Sequence, residues 1–205
     1  MLRCLCLLVG LGSSMGAVAD AAKLQTLLRG IESLRGRFVQ QMYSEEPRQL
    51  LETSTGRFDM LQPGYLRWHI LEPEEQQLVA ADGYLWHYDV ELETATRRLF
   101  DAKAPQSPLA ILAGDGNNLL DHYEVIELAS TQSERSWLLE PLFEKTEFKQ
   151  VTVVFRAKLP ARMEVLDPLE RTTTIVFQDL QLNPPLTGDS FSFTPPPGTD
   201  VYEHR

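Results

Sequence analysis

The feature that most constrains this chain is a change of period. From Thr53 onward, apolar residues recur at every second position, as they must where one face of a strand is buried and the other is wet. Phe58 and Met60 alternate with Arg57 and Asp59. A Gln62-Pro63-Gly64 turn interrupts, because proline cannot donate to a ladder. Beyond it, Leu66, Trp68 and Ile70 share one face while Tyr65, Arg67 and His69 share the other. Residues 77–81 and 84–89 read as strands joined by Asp82-Gly83, a hairpin signal, and residues 94–100 read as another. The pattern returns over 123–128, 136–140, 148–156, 161–166 and 172–178, with Phe191 and Phe193 as a last short strand before a Pro-Pro-Pro-Gly run.

Helical spacing is confined to two places. Leu24, Leu27, Leu28, Ile31 and Leu34 form one stripe and predict an amphipathic helix ending near Gly36, followed by a strand around 37–43 and a loop holding Pro47. Residues 107–114 predict a short helix with Pro108 at its first position, and Leu119 and Leu120 a second short turn after Gly114-Asp115-Gly116. The expectation is therefore a mainly β (α+β) chain: an antiparallel sheet of about 11 strands with an N-terminal helix and a short helical insertion. So few helical residues cannot cover so many strands, so the sheet must close on itself or keep a cavity.

The first residues carry an address. Arg3 precedes an apolar run from Leu5 to Leu11, and Ala17-Val18-Ala19 places a cut before Asp20. Residues 1–19 read as a cleaved signal peptide and 20–205 as a single exported domain. The apolar run is far shorter than the ~20 residues a membrane helix needs. Both cysteines, Cys4 and Cys6, fall in the signal, so the remainder offers no disulfide, thiol nucleophile or thiolate metal site. Its 19 Lys and Arg, less Arg3, against 29 Asp and Glu give a formal charge of −11. That charge disfavours nucleic acid and passive adsorption to anionic lipid.

Chemistry is hard to find. There is no Gly-x-Ser-x-Gly elbow; His69, His87, His122 and His204 are scattered, without zinc-ligand spacing, and no calcium loop is present. His69 and His87 read as satisfied or solvent-facing strand residues, the carboxylates of Glu72-Pro73-Glu74-Glu75 as a solvated loop. No catalytic residue, metal ligand or cofactor site is assigned. What remains is apolar surface: Phe58, Met60, Leu66, Trp68 and Ile70, with Trp86 and Tyr88 as companions, continued by Val151, Val153, Phe155, Met163, Val165, Ile175 and Phe177. A half-buried sheet needs such a face for its core, yet the shortage of cover leaves room for a lipid-sized hole.

Two blocks are recognisable: Gly56-Arg-Phe-Asp-Met-Leu-Gln-Pro-Gly-Tyr-Leu-Arg-Trp68, and, after Pro73, Leu78-Val-Ala-Ala-Asp-Gly-Tyr-Leu-Trp-His-Tyr-Asp89. With Phe38-Val-Gln40 near the start, a proline-containing segment at 105–114, and Phe191-Ser-Phe-Thr-Pro-Pro-Pro-Gly-Thr-Asp-Val201 near the end, the chain resembles the LolA family of periplasmic outer-membrane lipoprotein carriers over essentially all of residues 20–205. The resemblance implies an unclosed antiparallel β-barrel with a helical lid. It implies a non-enzymatic, monomeric periplasmic shuttle. Such a shuttle takes acylated lipoproteins from an inner-membrane ABC-type release complex to an outer-membrane receptor. The twelve residues Phe58, Met60, Leu66, Trp68, Ile70, Trp86, Tyr88, Phe155, Met163, Val165, Ile175 and Phe177 would line the acyl-chain cavity. Pro108, Leu109, Ile111 and Leu112 would form the lid. In one respect the chain departs from the family, which usually has Arg before the proline of the first block to hold the lid; here Gln62 stands as latch, without charge assistance. The same fold could carry another lipid or glycolipid, or serve as a periplasmic lipid-sensing module.

Overall fold

The structure, a computed structural model, describes residues 14–45, 48–100, 107–114, 116–128, 130–143 and 146–204. The signal-peptide residues Arg3 to Leu11, both cysteines and Pro47 lie outside these. The expected cut before Asp20 falls inside the first helix, α1 (Ser14–Arg29).

Six strands follow α1: β1 (Ser33–Ser44), β2 (Gln49–Leu61), β3 (Tyr65–Glu72), β4 (Gln76–Ala81), β5 (Tyr84–Asp89) and β6 (Thr94–Leu99). Two one-turn helices, α2 (Ala110–Ala113) and α3 (Leu119–His122), separate them from β7 (Tyr123–Glu127), β8 (Glu134–Pro141), β9 (Gln150–Arg156), β10 (Leu159–Leu166) and β11 (Arg171–Leu182). A 3₁₀ turn (Gly188–Phe191) and β12 (Asp200–His204) complete the fold. All 12 strands form one sheet in the order β12-β6-β5-β4-β3-β2-β1-β11-β10-β9-β8-β7. It consists of two antiparallel meanders, β1–β6 and β7–β11, stitched together where β1 pairs with β11. The outermost strands, β12 and β7, do not pair with each other, so the curled sheet is unclosed. The Asp82-Gly83 hairpin turns with φ of 51° and 79°, the left-handed pair that matches the twist of flanking strands.

Three expectations change. Helix α1 stops at Arg29, not near Gly36; Gly30 donates to the carbonyls of Thr26 and Leu27, and Leu34 already stands in β1 opposite Met60. Ile31, in the turn after α1, and Leu34, an inward residue of β1, continue the helical spacing by coincidence. Phe191 closes the 3₁₀ turn, and neither it nor Phe193 belongs to a strand. The twelfth strand, Asp200–His204, is one more than expected and runs parallel to β6.

The register says which residues face inward. Across β2, β3, β4 and β5, Phe58, Trp68, Leu78 and His87 line up, as do Met60, Leu66, Ala80 and Leu85. Across the junction, Phe38 faces Phe177, and Gln40, Ile175, Met163, Val153 and Trp137 form one row. This concave face carries the core, and α1 caps it with Ala21, Leu24 and Leu28 while lying against β7 and α3.

Candidate functional site

The concave face is dominated by aromatic rings. Phe38 stacks on Trp68 with centroids 3.8 Å apart; Phe58 tilts against Trp68 at 5.5 Å, and Phe177 meets Phe58 edge-on at 5.5 Å. Trp137 and Phe155 form a second edge-to-face pair at 6.0 Å in the other meander. Aromatic pairs in these geometries add to what their burial contributes.

Ten of the twelve residues expected to line the interior share this face. Phe58, Met60, Leu66, Trp68, Phe155, Met163, Val165, Ile175 and Phe177 are buried in one cluster, and Ile70 packs against its edge. Trp86 and Tyr88 do not. Trp86 stands opposite Val79 in β4 and Tyr88 opposite Gln77, in rows that continue to Arg67 and His69 on the convex face. There both rings pack on Phe193, at 5.5 and 5.8 Å. In β5 it is Leu85 that turns inward to the buried cluster. Leu34, Phe38, Val125, Trp137 and Leu139 also belong to the interior. The alternation of Trp137 with Leu139 could have found two of them, and Phe38 shows only through its partners across the sheet.

Over this face sits α2, whose four residues are all buried. Ile111 and Leu112 join the core cluster, and Leu109 packs against it half-buried. Pro108 precedes the helix rather than opening it; its carbonyl accepts from Ile111 in the lead-in turn. Among the described residues, few polar ties hold this helix. Gly64 donates its backbone N–H to Ala113 O at 3.0 Å. Gln62 Nε2 donates to Leu112 O at 2.9 Å and to Leu28 O at 3.3 Å, joining α2 and α1 through one amide. Removing these bonds leaves carbonyls poorly paired at a cost of about 1–3 kcal/mol. A Gln62→Ala variant is accordingly expected to lose about tenfold in hydrogen-exchange protection at the Ala113 and Gly114 amides, with β9 and β10 unchanged.

Several charged groups make structural contacts. Arg67, on the convex face, donates to Ser192 O at 2.9 Å and Ser190 O at 3.3 Å, clasping the C-terminal segment. Burial lowers its pKa, while Asp59 nearby raises it. His69 is buried; Arg57 Nε donates to its Nδ1 at 3.3 Å and Glu75 lies 2.7 Å from its Nε2. That fits a satisfied histidine carrying its proton on Nε2. His87 Nε2 meets Gln76 Oε1 at 3.1 Å. Burial against Phe148 pushes the Tyr123 hydroxyl well above its usual value. Among the described residues, no group of three or more His, Cys, Asp or Glu could hold a metal. No helix among them is long and apolar enough to cross a membrane.

A further opening lies at the end of the sheet remote from the Gln62 turn. It is a cavity of about 430 Å3 lined by Gln40, Glu52, Ile70, Pro73, Glu74 and Gln76. Gln40 and Ile70 follow Phe38 and Trp68 by one strand period along the concave face, so the cavity continues the aromatic interior outward.

Comparison with known proteins agrees with this architecture. The family described as "Outer membrane lipoprotein carrier protein LolA" matches residues 29–194. An outer-membrane lipoprotein carrier protein from Cupriavidus taiwanensis is 36% identical over 194 residues, covering 92% of this chain and 91% of that protein. A protein of the same description from Pseudomonas paraeruginosa is 29% identical, covering 95% and 94%. Among solved structures, a LolA superfamily protein from Nitrosomonas europaea superposes with a TM-score of 0.52 at 13% identity, covering 85% of this chain and 98% of that one. An uncharacterized conserved protein from Thermus thermophilus gives 0.55 at 14% identity, covering 90% and 99%. The structural likenesses speak to the fold alone.

Proposed function

The chain belongs to the LolA family of outer membrane lipoprotein carrier proteins, and from that premise we propose that it ferries acylated lipoproteins across the periplasm, between an inner-membrane ABC-type release complex and an outer-membrane receptor. It works as a monomer, without cofactor and without making or breaking a covalent bond. The observation that carries this reading is an apolar concave face covered by a one-turn helix whose polar anchors are few.

The energetics explain why the cover matters. Burying one CH₂ is worth about 0.8 kcal/mol, so a single 16-carbon chain brings on the order of 10 kcal/mol. A carrier that captured all of it would never release its passenger. With the lid closed, Leu109, Ile111 and Leu112 already occupy the interior, and entering chains displace them. Net affinity is then a difference between two apolar burials. The cavity wall is formed by Phe58, Met60, Leu66, Trp68, Ile70, Phe155, Met163, Val165, Ile175 and Phe177. Gln62 sets the opening cost. A neutral amide holds less firmly than a guanidinium, so the lid yields readily to cargo and closes on release with less force. Gln62→Arg should therefore hold cargo less well and transfer it to the receptor more completely; equal retention and equal transfer would count against the latch.

Depletion in the native cell tests the function. Lipoproteins accumulating at the inner membrane are the expected result. Normal lipoprotein sorting, with a different lipid found by mass spectrometry on the purified protein, would assign the fold to another lipid or glycolipid.

A further inference from the structure

The same mouth that admits acyl chains would admit the phospholipids of the membrane itself, which carry equivalent chains. Something must tell the two passengers apart, and hydrocarbon cannot. Resting on the carrier reading above, we infer that the cavity lined by Gln40, Glu52, Ile70, Glu74 and Gln76 is a head-group site selecting against phosphate, with Glu52 and Glu74 as the specificity-determining residues.

Three observations support this. The cavity is continuous with the acyl-binding face, since Gln40 and Ile70 stand next to the stacked Phe38 and Trp68 along their strands. A head group attached to chains lying on those rings would come to rest there. The charged part of the lining, Glu52 and Glu74, can only accept. Glu52 takes one hydrogen bond, from Ser54 Oγ at 2.7 Å, leaving further lone pairs on its carboxylate. The Gln76 amide is partly committed, one N–H of its Nε2 donating to Asp89 at 3.4 Å and its Oε1 meeting His87 Nε2 at 3.1 Å. One of its two N–H donors is thus engaged, while the carboxylates beside it remain acceptors. Finally, none of the described residues lining the cavity is cationic. Arg48, at the same end of the sheet, is engaged by Glu45 at 3.8 Å and by the Tyr43 ring at 4.9 Å.

A site of this kind suits a head group bearing amide N–H, hydroxyl or ammonium donors. A phosphodiester has only acceptors and a negative charge, and would be placed against two carboxylates. Like-charge juxtaposition is a device for rejecting a wrong partner without weakening the right one.

The test uses the full chain, exported and purified, incubated with phosphatidylcholine vesicles carrying trace radiolabelled dipalmitoyl phosphatidylglycerol and dipalmitoylglycerol. The two probes share acyl chains and differ in the phosphate head. The unmodified protein should take dipalmitoylglycerol in preference. The Glu52→Gln/Glu74→Gln double variant should shift the ratio toward phosphatidylglycerol by about tenfold. Raising salt should move the ratio of the unmodified protein in the same direction, since the Debye length falls from ~10 Å at 0.1 M to ~3 Å at 1 M. That second measurement needs no substitution. A ratio indifferent to both the substitutions and salt would overturn the head-group site while leaving the carrier reading standing. Uptake of neither lipid by either protein would overturn both.

Discussion

Trp68→Ala is expected to lower the unfolding free energy by about 3–5 kcal/mol, read as a shift in urea midpoint at unchanged slope. The ring is 3% exposed and touches Phe38, Phe58 and Phe177, which come from three different strands. Phe38 and Phe177 lie on either side of the junction between the two meanders, so Trp68 bridges a seam as well as filling a volume. Its loss should loosen the pairing of β1 with β11 more than that of β9 with β10, and hydrogen exchange on the two strand pairs would show the difference. The vacated space lies on the face proposed to receive acyl chains. Binding of an apolar fluorescent probe should therefore rise in the folded variant, and a variant that lost stability without gaining probe binding would place Trp68 outside the ligand space.

Gly56→Ala should cost about 3 kcal/mol, an unusually large penalty for adding one methyl group. A Cβ there would lie 2.1 Å from the carbonyl oxygen of His69 and 2.5 Å from the Phe38 ring. The ring could tilt, but the carbonyl belongs to β3 beside a register shift between Thr55 and Gly56, and it has no freedom to withdraw. Combining the change with Phe38→Leu separates the two contacts. Relief of the ring clash should recover only part of the loss, because the carbonyl contact remains. Full recovery in that background, measured by thermal or urea unfolding, would show that the backbone can yield after all.

The alternation of Phe58 with Met60, and of Leu66 with Trp68 and Ile70, was enough to place half of the concave face. Each residue there reports its own side of the pleat, and the hairpin turns fix the register between neighbours. The same reasoning fails on Trp86 and Tyr88. Two aromatics on alternate positions look like the core side of a strand, yet counting across from Trp68 through Leu78 puts His87, not Trp86, on the concave side. Tyr88 is buried and Trp86 half-buried on the other side, because Phe193 lies over both rings, and a segment more than a hundred residues away leaves no local trace. Strand β12 is hidden for the same reason. Asp200–His204 is polar and alternates weakly, and it becomes a strand only because β6 offers it an edge. Gln62 was legible as a lid contact through resemblance alone; that its amide reaches Leu28 as well as Leu112 depends on where α1 packs.

Helix α2, proposed above as the lid, lies on the stretch of chain that joins β6 to β7, and so one meander to the other. A flap fastened on one side can swing clear of an opening. A strap fastened on both sides cannot: it yields only by its own slack or by letting its two fastenings move apart. On the proposed carrier reading, admitting a bulkier passenger draws on the spread of the sheet itself, and the length of the strap limits what is carried. Shortening it should shrink the largest passenger before it weakens the grip on a small one.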